Sequence, residues 1–251
     1  MPDRAAIVTG ASRGIGFALA EALAEEGYRL TITARKPDSL EQAAARLRER
    51  GCEVEHVVAN LADEEAVRQV VARHRDRFGR LDVLINNAGV GIGAAADAHE
   101  TRYVDVQLTV NVRAIVLFYR ECAELLRAAG AEHRNALVVN LASLAGKSPQ
   151  PWLSVYSATK AAVAAYTVAM NKELAKHGVK SVAFAPGFVD TDMAVERVHG
   201  PGGDKVRAES PFGRVAQPDE IAAAVLYLAS SQAEWASGAI LDLNGASYLR
   251  T

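Results

Sequence analysis

Short apolar runs rich in β-branched residues alternate with longer amphipathic stretches along nearly the whole chain. The strand candidates are residues 5–9 (AAIVT), 29–33 (RLTIT), 53–59 (EVEHVVA), 81–86 (LDVLIN), 136–141 (ALVVNL), 179–185 (VKSVAFA) and 239–243 (AILDL). Several are continuously apolar, as strands covered on both faces should be. Between them lie helical patterns such as GFALAEALAEEG (16–27) and DEEAVRQVVARHRDRFG (63–79). The second opens on Asp63, Glu64 and Glu65 and closes on basic residues and Gly79, start and stop signals matched to the helix dipole. Such alternation predicts an α/β fold with right-handed crossovers and a mostly parallel, doubly wound sheet of about seven strands, flanked by helices on both faces. No linker or repeat interrupts it, so residues 1–251 read as one domain. One segment breaks the rhythm. From about 190 to 213 periodicity is weak and a GPGG cluster stands at 200–203, which predicts a lid or binding loop.

Composition removes whole classes of function. Half of the 251 residues are hydrophobic and the formal net charge is −2, without the clustered basic excess of a nucleic-acid surface. No run of about 18 apolar residues could cross a bilayer. The first residues, MPDRAAIVTG, enter a strand at once and leave no room for a signal peptide. Cys52 and Cys122 stand alone, and the six histidines are scattered. Buried thiols in a reducing cytoplasm, and no metal site, are the expectation.

The chemistry begins at TGASRGIG (9–16), where Gly10, Gly14 and Gly16 lie between the first strand and the first helix. A glycine turn there aims backbone N–H groups and the positive helix end at one point, which suits a phosphate. Gly16 would let the helix pack closely on the sheet. The spacing differs from GxGxxG, and on the glycines alone a tight turn or a methyltransferase-like site competes. Further along, NNAG (86–89) closes the fourth strand and Ser143 follows the fifth. Tyr156-Ser-Ala-Thr-Lys160 comes 13 residues after that serine, and Pro186-Gly187 ends the sixth strand ahead of Thr191 and Met193. Taken together, in this order, the chain resembles the short-chain dehydrogenase/reductase family over its whole length.

That resemblance implies a Rossmann-type NADP-binding domain and hydride transfer between NADP(H) and a small carbonyl or alcohol substrate. It also implies cofactor contacts from Gly10, Ser12, Arg13, Gly14, Ile15, Gly16, Asn60, Leu61, Asn87, Ala88, Gly89, Tyr156, Lys160, Pro186, Gly187, Val189 and Thr191. Asn111 would end a water relay that reprotonates the Lys–Tyr pair; read without the family, it is an asparagine satisfied by backbone at a helix kink. Two positions depart from the family pattern. Asn60 stands where an aspartate usually accepts from the adenine, and Asn244-Gly245-Ala246 replaces a DGG-like sequence near the C-terminus.

The residues themselves supply a mechanism. Tyr156 and Lys160 are four apart in a long helical pattern and share one face. A nearby ammonium stabilises phenolate, which would lower the tyrosine from its usual pKa of about 10. Tyr156 then protonates a carbonyl oxygen that Ser143 holds in place. After the second strand the chain offers Arg35 and Lys36, with no carboxylate before Asp38. Arg35 and Arg13 suit a 2′-phosphate, so NADP(H) is expected.

Trp152 and Phe188, with Ser143 and Tyr156, are the substrate-facing candidates, beside loop 90–96, Leu144 and Ala145. Their lack of charge suggests an apolar carbonyl compound, and a 3-oxoacyl thioester is one option. The cations Arg197, Lys205 and Arg207 could instead meet an acidic carrier protein. The stretch Ala114–Tyr119 is apolar at six successive positions, which predicts a covered outer helix face and a homotetramer, or else a dimer. A catalytically silent NADP-binding scaffold is the alternative from another class, and epimerases and dehydratases on related folds also remain.

Overall fold

The computed structural model describes residues 4–249. Seven strands form one all-parallel sheet: β1 Ala5–Thr9, β2 Arg29–Ala34, β3 Val54–Val58, β4 Val83–Asn86, β5 Ala136–Leu141, β6 Val179–Pro186 and β7 Ile240–Leu243. Their spatial order is β3-β2-β1-β4-β5-β6-β7. The order reverses between β1 and β4, which opens a crevice at the carboxyl ends of those strands. All seven expected strands are present, two with the expected ends and the others with an end shifted by one or two residues. β4, for instance, starts at Val83, and just before it the Asp82 carboxylate accepts the Ala5 N–H at 2.8 Å.

Nine helices accompany the sheet among the described residues: α1 Gly14–Glu25, α2 Pro37–Glu49, α3 Glu64–Phe78, α4 Thr101–Leu108, α5 Ala114–His133, α6 Ser154–Leu174, α7 Val195–His199, α8 Gly203–Ala208 and α9 Pro218–Ala229. Their ends follow local chemistry. Asp63 caps α3 by accepting the Glu65 N–H at 2.9 Å, and Gly79 stops it in a left-handed conformation, φ 68°. Pro218 with a Gln217/Glu220 capping box starts α9.

Alternate strand residues feed two cores. Ala6, Val8, Val83, Ile85, Leu137 and Val139 face α1, α2 and α9, whose Leu19, Leu40 and Val225 complete one cluster. Ile7, Leu84, Ala136 and Val138 face the other way, toward Val70, Phe118 and Met170 of α3, α5 and α6. Each face of the sheet is thus sealed, and the strand ends carry what chemistry there is.

Two expectations are refined. The 190–213 segment contains the short helices α7 and α8, joined through the GPGG turn, where Gly202 takes φ 92°. In Ala114–Tyr119, Ala114, Ile115, Leu117 and Phe118 are buried within this chain, and Val116 is the one exposed residue, at 39%. The outward apolar face is therefore narrower than six successive apolar residues suggested.

Candidate active site

The expected site residues gather along the carboxyl edge of the sheet. Gly10 to Arg13 form the β1–α1 turn, and Gly14 to Gly16 open α1. Arg35 follows β2, Asn60 and Leu61 follow β3, Asn87 to Gly89 follow β4, and Ser143 follows β5. Pro186 ends β6, and Gly187, Phe188, Val189 and Thr191 continue from it.

Much of the glycine turn is shaped by the protein itself. A Cβ on Gly16 would lie 2.3 Å from Gly10 O, and one on Gly10 would lie 2.9 Å from Ala88 Cα. Gly10 and Gly14 adopt φ 68° and 57°, in the left-handed region. Asn87 pulls the parts together: its Nδ2 donates to Thr9 O at 2.8 Å and to Gly10 O at 3.2 Å. Thr9, a residue without any assigned role, accepts the Asn87 and Ala88 N–H groups on Oγ1, each at 3.0 Å. No side chain caps the N-terminus of α1, so its first N–H groups face the crevice with the helix dipole behind them. Beside Gly14, a Cβ would sit 3.3 Å from the Thr191 methyl, which brings the 190–213 segment to the turn.

The two arginines differ. Arg35 and Lys36 are exposed, and among the described residues neither forms an ion pair or side-chain hydrogen bond. Arg13 instead donates from Nη1 to Asp192 at 2.8 Å, both groups about two-thirds exposed. Asn60 Oδ1 accepts the Ala62 N–H at 3.3 Å, leaving one lone pair free.

Tyr156 and Lys160 project from α6 as their spacing requires. Lys160 Nζ is buried, donates to Leu141 O at 2.6 Å, and stands 5.7 Å from the centre of the Tyr156 ring. Burial lowers its pKa to about 8. Burial likewise pushes Tyr156 above its ordinary value, with a hydrogen bond from Ser143 pulling the other way. This corrects the expectation of a lowered tyrosine. The desolvated phenolate is disfavoured more than Ser143 can offset, and the ammonium is directed at Leu141 O. Ser143 also caps the turn Leu144–Gly146, accepting the Ala145 N–H at 3.1 Å.

Asn111 lies in a π-helical turn, Thr109–Arg113, between α4 and α5. Its Nδ2 donates to Val90 O at 2.8 Å and Thr159 Oγ1 at 3.0 Å, and its Oδ1 accepts the Val90 N–H at 2.8 Å. A Cβ on Gly89 would meet both Asn111 Oδ1 and Lys160 Nζ at 3.4 Å, so the three positions converge. Trp152 is 65% exposed, with φ 67°, and its C=O accepts the Ala94 N–H at 2.9 Å. Among the described residues no group of three or more His, Cys, Asp or Glu could hold a metal, and no helix is long and apolar enough to cross a membrane. The departure at the C-terminus has a visible consequence: Ala246 takes φ 61°, a conformation suited to glycine, and Asn244 Nδ2 donates to Tyr248 O.

Chemically, the edge offers a cradle for a phosphate, the exposed cations Arg35 and Lys36 nearby, and a partly buried proton donor paired with a serine and a lysine. Comparison with known proteins agrees. The family model for short chain dehydrogenase matches residues 4–201. A Streptomyces violaceoruber protein assigned as ketoacyl reductase 1 of the granaticin polyketide synthase is 36% identical, over 96% of this chain and 91% of its own. The 3-oxoacyl-acyl-carrier-protein reductase FabG of Staphylococcus aureus is 31% identical over 98% of both chains. In structure, an actinorhodin polyketide ketoreductase variant with NADPH superposes with a TM-score of 0.90 at 31% identity, over 98% of this chain and 97% of that one. By sequence and by structure, this chain belongs to the short-chain dehydrogenase family.

Proposed function

We propose that this oxidoreductase reduces a ketone with NADPH, 3-oxoacyl thioesters being the substrate class its relatives' names suggest. The observation that carries the reading is the Ser143–Tyr156–Lys160 cluster at the same sheet edge as the glycine cradle. NADPH supplies hydride to the carbonyl carbon when bound. The α1 N-terminus would hold its pyrophosphate, Arg35 its 2′-phosphate, and Asn87 to Gly89 and Pro186 to Thr191 the rest of the dinucleotide. Arg13 adds a second cation there once it exchanges Asp192 for the phosphate. Ser143 orients the carbonyl oxygen and Tyr156 protonates it. A phenol held un-ionised by burial is the form that gives up a proton in the reduction direction. Lys160 lies behind Tyr156, where a proton lost from the phenol can be replaced. The side chain of Asn111 is committed to Val90 and Thr159, so a water relay there runs from its main chain.

Residues 190–213 form the lid in this reading, since Thr191 and Asp192 already meet the glycine turn. The chain assembles as a homotetramer, with a dimer next in order, in a reducing cytoplasm. Supporting assembly, Trp235 is 100% exposed and Tyr227 on α9 is 54% exposed, large aromatic side chains that a partner copy would cover. The reading is tested by incubating the protein with NADPH and a ketone panel that includes 3-oxoacyl thioesters, and following loss of reduced nicotinamide. Consumption of NADPH with a matching alcohol product supports it. A protein that binds NADPH and reduces no member of the panel contradicts it.

A further inference from the structure

Gln107 is an amide on α4 with no accessible surface at all. Burying such a group costs free energy unless both ends find partners. Here they do. Nε2 donates to Tyr103 O at 3.1 Å, one turn earlier on the same helix, and this fixes which way the amide points. Oε1 then accepts the Ile92 N–H at 3.1 Å. Asn111, four residues later, takes both the N–H and the C=O of Val90. On the far side, Ala94 N–H donates to Trp152 O at 2.9 Å. Residues 90, 92 and 94 are therefore each tied down, and the central tie is Gln107.

The two glycines between those ties lie against the site. A Cβ on Gly91 would stand 3.4 to 3.8 Å from Cδ2, Cε2 and Cγ of Tyr156, so the bare Gly91 backbone packs on the tyrosine ring. A Cβ on Gly93 would stand 3.1 Å from Trp152 O. Tyr156 itself is braced from below, because Thr159 Oγ1 donates to Tyr156 O at 2.7 Å while accepting from Asn111. The ring is thus set between α6 and a segment whose height above it depends on the Gln107 amide.

We propose that Gln107 is a positioning residue for the reduction, fixing the Gly91 backbone against Tyr156 and so setting where the phenol points and how well water is excluded from it. This rests on the ketone-reduction reading above. Gln107 never touches the reacting atoms; it acts through Ile92 and Gly91.

Two variants test it. Gln107→Met is close in volume and removes both hydrogen bonds. Gln107→Glu keeps an acceptor for Ile92, and burial keeps its carboxyl protonated as a donor to Tyr103 O. Three quantities are measured on each purified variant: hydrogen exchange over residues 90–94, the NADPH dissociation constant, and kcat and KM for a ketone that the wild type reduces. Gln107→Met should speed exchange at the Ile92 amide about tenfold or more, leave NADPH affinity within about twofold, and lower kcat by about tenfold to a hundredfold, the effect of a displacement near 1 Å. Gln107→Glu should recover most of that rate. Unchanged Ile92 exchange, or unchanged kcat despite faster exchange, overturns the proposal. If Gln107→Met does not fold, Gln107→Asn, too short to reach Ile92, takes its place with the same expectation. A wild type that binds NADPH yet reduces no ketone contradicts the reading beneath, whereas the exchange result bears on the anchor alone.

Discussion

At the scale of single residues, charge placement decides the cofactor. Arg35 is an exposed cation just after β2, and Arg13 is held by Asp192. A charge-assisted contact of this kind contributes roughly 1.5 kcal/mol or more, so NADPH should bind at least an order of magnitude more tightly than NADH. Arg35→Asp should narrow or reverse that preference, because a carboxylate repels a 2′-phosphate and accepts from a ribose hydroxyl. Fluorescence titration of both cofactors decides it, and equal dissociation constants in the wild type would refute the assignment. Some residues were legible because their signal is local. The glycines and the Tyr156/Lys160 pair sit at fixed short spacings, which constrain geometry directly. Gln107 was not legible, since in sequence it is one polar residue in an amphipathic stretch. Its meaning comes from Ile92, fifteen residues earlier, which the fold carries alongside it. The Arg13–Asp192 contact spans 179 residues, and no local pattern announces it. The raised Tyr156 pKa is illegible for a similar reason, because spacing reveals a neighbour but not the desolvation around it.

Elements were more legible than contacts. Several strands came from continuous apolar runs, and the start at Asp63 and the stop at Gly79 are chemical signals that the chain obeys. The helices α7 and α8 escaped notice because five or six residues are too few to show a period. One element joint also has a pH signature. His74 of α3 is fully buried; its Nε2 donates to Arg80 O at 2.9 Å and its Nδ1 accepts from Thr31 of β2 at 2.8 Å. Burial lowers its pKa from 6.5 to about 4. As pH falls below 6.5 the unfolded chain binds this proton and the folded chain does not, so stability is full above 6.5 and is lost down to about 4. The loss should approach about 2–3 kcal/mol. Urea unfolding at about pH 7.5 and pH 4.5 measures it. His74→Gln, which keeps a donor and an acceptor, should flatten that dependence, and an unaltered acid slope would refute the role.

For the whole molecule, the glycine turn and the segments that follow β2 to β6 lie along one edge of the sheet, and exposed aromatic surface lies elsewhere. Trp235, Tyr227 and Val116 are exposed on different helical faces or beside them, as an assembly with more than one contact would use. Light scattering should therefore give a mass four times, or failing that twice, the 26.7 kDa of the chain, and a species at the chain mass would contradict assembly. The central claim is that Tyr156 protonates a carbonyl oxygen while bound NADPH reduces the adjacent carbon. The most direct measurement compares the wild type with Tyr156→Phe, following NADPH oxidation by a ketone and NADPH binding in parallel. The account predicts near-equal NADPH affinity and a turnover lower by a factor of about 10² to 10⁴ in the variant. A phenylalanine variant that keeps more than about a tenth of the wild-type turnover would contradict it.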